Sequence, residues 1–256
     1  MLSHDLREEG ELPFTHVLID EAQDISVPEL LLLGDKFGAR PNGLFFAGDI
    51  GQRIFRAPFP WSAAKVEVRG RSRSLKVNYR TSHQIRVGSQ SLLPETLVEA
   101  DGSEESRVGV TSVFEGPKPE LLAFSSCDEE LLKLAEWIKA LLSAGVGENE
   151  IAMLARTKEV LAEYATAFEN TNPGINFLSM HDSKGTEFQA VAVVALDHHI
   201  LPDEGRLLAA RDEAQFDEVM STERHLLYVA ATRARDYLMM SGVTPVSEFF
   251  YDLISE

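Results

Sequence analysis

The chain has one cysteine, Cys127, in 256 residues, so no disulfide can form within it. Its longest apolar run, Ala190 to Leu196, falls far short of the about 20 residues that cross a bilayer. Met1 to Leu12 is polar and acidic, without the pattern of a signal peptide. No Gly-x-x-x-x-Gly-Lys-Ser/Thr occurs anywhere. Lys184-Gly185-Thr186 reverses the Gly-Lys order and lacks the glycine four residues before it. His181 beside Asp182, and His198 beside His199, have no further Cys or His at ligand spacing. These absences argue against a disulfide scaffold, a membrane partner, a histidine metal site and a self-contained phosphate loop. A cytoplasmic protein is the expectation they favour.

Basic residues are also scarce: 24 Lys and Arg against 41 Asp and Glu, a net charge of −17. The distribution is uneven. Residues 65–86 hold seven basic side chains (Lys65, Arg69, Arg71, Arg73, Lys76, Arg80, Arg86) against Glu67 alone. Charges farther away than about 8–10 Å are largely screened, so a basic segment on an acidic body still attracts phosphate. A solvated charged linker is the plainer reading of the same run.

What is present alternates between strand-like and helix-like runs. Buried strands are expected at Val17–Ile19, Leu44–Ala47, Leu75–Val77, Leu121–Phe124, Ile151–Ala155, Ile175–Leu178, Val191–Leu196 and Tyr237–Ser241, with another near Val108–Phe114. Helices are expected at Val27–Phe37, with Ser26 as N-cap and Pro28 in its first turn, and near Ser82–Leu93. Further helices are expected at Asp128–Ser143, Lys158–Phe168, Asp212–Arg235 and Val246–Ile254. Such alternation implies a mostly parallel sheet covered on both faces, an α/β fold.

Five segments carry chemistry. Asp20 and Glu21 end an apolar strand, the edge where open α/β sheets bind ligands. There one carboxylate can hold Mg²⁺ and the other can orient an attacking water. Acids also suit the positive end of a helix. Gly48-Asp49-Ile50-Gly51-Gln52 ends the next strand, where Gln52 can sense a phosphate or the water. Arg80, in Asn78-Tyr79-Arg80-Thr81-Ser82, can stabilise phosphoryl-transfer charge. Met180–Phe188 is a polar loop between two strands. In Leu227–Arg235 the small residues Ala230, Ala231 and Ala234 allow close helix packing, and Arg233 and Arg235 point to different faces.

Taken in order, these segments resemble the superfamily-one DNA helicases of the UvrD/Rep/PcrA type. LIDEAQD resembles motif II, GDIGQRIF motif III, NYRTS motif IV, MHDSKGTEFQAV motif V and YVAATRARDYL motif VI. The resemblance implies two RecA-like domains with ATP in the cleft between them. Residues 1–70 are the expected latter part of the first domain, and residues 71–256 the second, a RecA-like parallel sheet flanked by helices. By the same resemblance Asp20 is the Mg²⁺ ligand and Glu21 the catalytic base. Gln52 is the γ-phosphate sensor, Arg80 and Arg233 are the arginine fingers, and Glu187 contacts the nucleotide's sugar edge. His181 and Lys184 fall in the loop that touches single-stranded DNA, and Phe55 sits where the family has an aromatic beside the strand. Trp61, in Arg56-Ala57-Pro58-Phe59-Pro60-Trp61, is a stacking candidate by proximity. The implied activity is ATP-driven, 3′-to-5′ movement on single-stranded DNA, in a fragment inactive as an ATPase by itself because the phosphate loop is missing. Two other readings stand beside it. One is a non-catalytic DNA- or protein-binding module; the other is a metal-dependent nuclease using Asp20, Glu21, Asp24 and Asp49.

Overall fold

Two apolar triplets, β1 (Val17–Ile19) and β2 (Leu44–Phe46), pair in parallel in the computed structural model, which describes residues 14–55, 61, 66, 71, 73–98 and 104–254. Helix α1 (Val27–Phe37) connects them and opens on a capping box, in which Ser26 and Glu29 satisfy each other's backbone N–H. Ile19, Leu44 and Phe46 pack with Ala22, Leu30, Trp61 and Val66. The opposite face is open: the register partners Leu18 and Phe45 are 75% and 60% exposed. These strands are expected to be buried, and among the described residues they are covered on one face only. This unit comprises Met1–Ile50, Phe55–Arg73 and Val98–Glu104.

The second unit comprises Gly51–Ile54, Ser74–Leu97 and Glu105–Glu256. It begins with β3 (Val77–Asn78) and α2 (His83–Gly88); the short strands β4 (Thr96–Val98) and β5 (Glu104–Ser106) that follow are each divided between the two units, with Val98 and Glu104 assigned to the first. Next come β6 (Thr111–Ser112), β7 (Glu120–Phe124), α3 (Cys127–Ser143), β8 (Ile151–Ala155), α4 (Lys158–Phe168) and β9 (Asn176–Ser179). The last elements are β10 (Phe188–Val193), α5 (Glu204–Ala209), α6 (Glu213–Ala231), β11 (Ala234–Val243) and α7 (Glu248–Ile254).

Five of these strands form one parallel sheet in the order β7–β11–β10–β8–β9. Side chains alternate across it with a period of two. Ile151, Met153, Ala190, Ala192 and Met239 face α3 and α4 in one core. Ala152, Leu154, Val191, Val193, Leu238 and Met240 face α2, α6 and α7 in the other. With both faces covered, the central strands can be continuously apolar, as parallel sheets require. The expected α/β fold with a helix-flanked parallel sheet is the observed one.

Two expectations are corrected, and one helix is added. The segment at Leu75–Val77 is not a core strand: Leu75 is 87% exposed, and only Val77 and Asn78 pair, with β6 outside the main sheet. Helix α6 ends at Ala231, not Arg235. Thr232 caps it by donating its N–H to the Tyr228 carbonyl, and Ala234 already pairs with Phe188 as strand. Helix α5 was not anticipated; its apolar content is slight, and its start is set by the Asp203 side chain, which accepts from the Arg206 N–H.

One buried carboxyl lies in the first turn of α3. Glu130 is fully buried and accepts from the Tyr164 and Ser241 hydroxyls, both at 2.6 Å. Burial pushes it above the ordinary carboxylate range, against those two hydrogen bonds. A proton held more tightly by the folded chain stabilises it fully below the unfolded value of 4.5, and this contribution is lost as pH rises through the folded value. Urea unfolding between about pH 4 and about pH 8 should therefore show the native chain losing stability relative to Glu130→Gln as pH rises. Parallel curves for the two proteins would contradict this.

Candidate active site

In the first unit, the ends of β1 and β2 meet through Gln23. Its side-chain nitrogen donates to Glu21 Oε2 at 2.5 Å, and its oxygen accepts from the Asp49 N–H at 3.1 Å. Ala22 N–H also donates to the Ala47 carbonyl. Gly48 permits this approach, since a Cβ there would lie 2.4 Å from Gln23 Oε1. Glu21 itself sits in the left-handed region at φ 51°, uncommon for a side-chain-bearing residue and frequent at functional turns. Asp20 is exposed and accepts from the Glu21 N–H at 2.9 Å. Gln23 appears in the sequence only as one letter of a polar run; its 3% exposure marks it as the residue that ties the two strand ends.

No three His, Cys, Asp or Glu side chains among the described residues gather closely enough to hold a metal ion. An Mg²⁺ held mainly by substrate phosphates and waters needs only one or two protein carboxylates, and Asp20 fits that requirement. It does not fit a two-metal carboxylate cage, so the nuclease reading gains no support from the geometry.

In the second unit, residues far apart in sequence meet where β10 and β11 begin. Arg233 is fully buried. Its Nε donates to the Val229 carbonyl at 2.9 Å, Nη1 to the Thr186 carbonyl at 3.2 Å, and Nη2 to Gln52 Oε1 at 3.0 Å. Lys184 Nζ donates to the Gln52 main-chain carbonyl at 2.6 Å. Arg80 and Glu187, both partly exposed, form an ion pair at 3.2 Å. The turn that presents Arg80 is organised by Asn78, whose Oδ1 accepts from the N–H groups of Arg80 and Thr81. Ser82 then donates its N–H to the Arg235 carbonyl and caps α2. Tyr79, beside Arg80, is 74% exposed and offers an open aromatic face.

Gln52, Arg80, Lys184, Glu187 and Arg233 are thus brought together. Arg235 points elsewhere because it lies on β11, paired with Asp236. Phe55 is 54% exposed. Trp61 is buried and packs edge-on against Phe46, with ring centroids 4.9 Å apart, so its ring serves the core rather than an open stacking surface. Of the basic segment, Lys65 and Arg69 lie outside the described residues, as do Arg56 to Pro60.

His181 lies at the opposite, carboxyl end of the sheet, after β9. Burial first, then Arg156, holds its imidazole below the ordinary value, so it is neutral at pH 7 and offers hydrogen bonds rather than charge. Glu223 of α6 is fully buried nearby and is held bidentately by Arg156 at 2.7 and 2.8 Å and by Arg206 at 2.6 Å. No local pattern signals this cluster, because Arg156 and Glu223 stand 67 residues apart with no motif spacing.

Residues 160–244 match the family model of the UvrD-like helicase C-terminal domain. A probable DNA helicase of Mycoplasma pneumoniae is 25% identical over 241 residues, covering 90% of this chain and 44% of its own length. DNA helicase IV of Escherichia coli is 27% identical over 247 residues, covering 87% and 33%. The putative ATP-dependent DNA helicase YjcD of Bacillus subtilis is 41% identical over 70 residues, covering 27% and 9%. This chain spans less than half the length of these curated relatives. His181, Lys184, Glu187 and Arg233 fall inside the matched stretch.

Removing one member of a buried ion pair strands the other's charge, at about 3–5 kcal/mol. Glu223→Ala should lose that much stability in urea unfolding, whereas Arg206→Ala, whose side chain is 40% exposed, should lose about 1 kcal/mol or less. Equal losses would contradict the assigned burial of the pair.

Proposed function

We propose that this chain, which carries a UvrD-like helicase C-terminal domain, is the portion of an ATP-dependent DNA helicase that contributes the water-activating carboxylates and the phosphate-sensing arginines. The observation that carries this reading is the Arg233–Gln52 hydrogen bond, with Thr186 and the Arg80–Glu187 pair beside it. An arginine with a glutamine is the pairing that phosphoryl transfer uses to stabilise charge and to place the nucleophile. In this reading residues 1–70 are the latter part of a first RecA-like domain and residues 71–256 are the second.

Glu21, whose carboxylate is held by the Gln23 side chain, accepts the proton of the attacking water. Gln52 senses the terminal phosphate. Arg80 and Arg233 neutralise the charge that develops on it, and Glu187 meets the nucleotide's sugar edge. Asp20 would be the protein ligand of a Mg²⁺ ion, whose chemistry would be to offset phosphate charge. Contact with single-stranded DNA is assigned to His181, Lys184, Phe55 and the basic residues of 65–86, the cations meeting backbone charge, neutral His181 offering hydrogen bonds and the aromatic stacking on a base. The parent moves 3′ to 5′. This chain alone hydrolyses ATP poorly, since it contains no phosphate loop.

The test compares this chain with a version extended by the upstream gene sequence, using nucleotide calorimetry and DNA-stimulated ATPase assays. The extended protein should turn over ATP with single-stranded DNA, and Arg233→Ala or Arg80→Ala should lower kcat by about a thousandfold or more. Tailed duplexes should be unwound from the 3′ tail. DNA binding without turnover in the extended protein would identify a non-catalytic module instead. Family-speed hydrolysis by this chain alone would overturn the assignment of its inactivity.

A further inference from the structure

We propose that Lys184 is a positioning residue, whose ammonium holds the Gln52 main chain so that the Gln52 side chain meets the Arg233 guanidinium. The inference rests on the reading of Gln52 and Arg233 as phosphate-sensing groups, and it gives Lys184 a role beyond contact with DNA. Lys184 Nζ lies 2.6 Å from the Gln52 carbonyl, across 132 residues of sequence. The bond is charge-assisted and partly shielded from water, and so stronger than a neutral one. The same residue, Gln52, accepts from Arg233 through its side chain. One residue is therefore held at its backbone by the loop and engaged at its side chain by the arginine.

The loop is built to aim Lys184. Ser183 is buried, with its hydroxyl on the Met180 carbonyl, and Thr186 Oγ1 donates to the Ser183 carbonyl at 2.6 Å. Gly185 between them takes φ +81°, a turn that side-chain-bearing residues rarely adopt. Two residues after Lys184, the Thr186 carbonyl accepts from Arg233. The loop thus grips both partners, Gln52 by Lys184 and Arg233 by Thr186, and sets the distance between them. A change in the loop, from any ligand that touches it, reaches both groups at once.

Hydrogen exchange of arginine side chains in the nucleotide-free chain, followed by NMR, tests this. Lys184→Met keeps the apolar stem and removes the donors. It should speed exchange of the Arg233 Nη–H group that meets Gln52 by about tenfold or more and shift the Gln52 side-chain amide resonances. The Arg156 Nε–H, held by Glu223 at 2.7 Å in the same unit, should stay unchanged, and Lys184→Arg should restore the native Arg233 rate. Lys184→Gln serves the same purpose if the Met variant does not fold. An unchanged Arg233 rate, or equal acceleration at Arg156, overturns the proposal. No ATP or DNA enters the experiment, so its failure is distinct from failure of the helicase reading.

Discussion

The buried guanidinium of Arg233 is the constraint on which the second unit's site depends. A charge that leaves water must be repaid by hydrogen bonds, because an unmet buried donor costs more than a made bond returns. Arg233 finds acceptors on three separate segments: Val229 of its own helix, Thr186 of the loop before β10, and Gln52 from far upstream. Meeting those acceptors ends α6, turns the chain into β11 and fixes the loop at the start of β10. The fold and the site share one set of bonds.

The parallel sheet makes this possible. Five strands covered on both faces are rigid, so residues just before β10 and β11 are held in register: Phe188 opposite Ala234. Glu187 and Arg233 immediately precede that pair. At the carboxyl end, the Glu223 cluster pins α6 through Arg156, which directly follows β8. The same helix therefore carries a buried acid near one edge of the sheet and leads to a buried arginine at the other. In the first unit, Gln23 does comparable work on a smaller scale by tying the strand ends that carry Glu21 and Asp49.

Much of the fold was legible in the chain. Helix α4 and strand β8 have the expected bounds, and α1 begins on the expected Ser26 cap. In each, the apolar spacing and the capping residue agree. Legibility failed where tertiary contacts override local pattern. Leu75 reads as strand by side-chain type yet lies on the surface, 87% exposed, before the two-residue strand that pairs with β6. The end of α6 is not legible locally, because alanines and arginines are good helix formers, while the helix stops at Ala231 and Ala234 pairs in the sheet. Trp61 looked like a stacking aromatic only because proximity in sequence says nothing about the direction of its ring.

Sequence alone determined the classes of group present: paired carboxylates after an apolar strand, a glutamine after the next, arginines in two later segments, and the lack of a phosphate loop. It determined the alternation that yields a parallel sheet, because hydrophobic period and capping are local properties. Only the tertiary structure decided that Gln52, Lys184 and Arg233 share one network, that Gln23 rather than a charged residue bridges the first unit's strand ends, and that Glu130 and Glu223 are buried. These are contacts across many tens of residues, chosen by which buried polar groups can satisfy one another, and no local pattern encodes that choice.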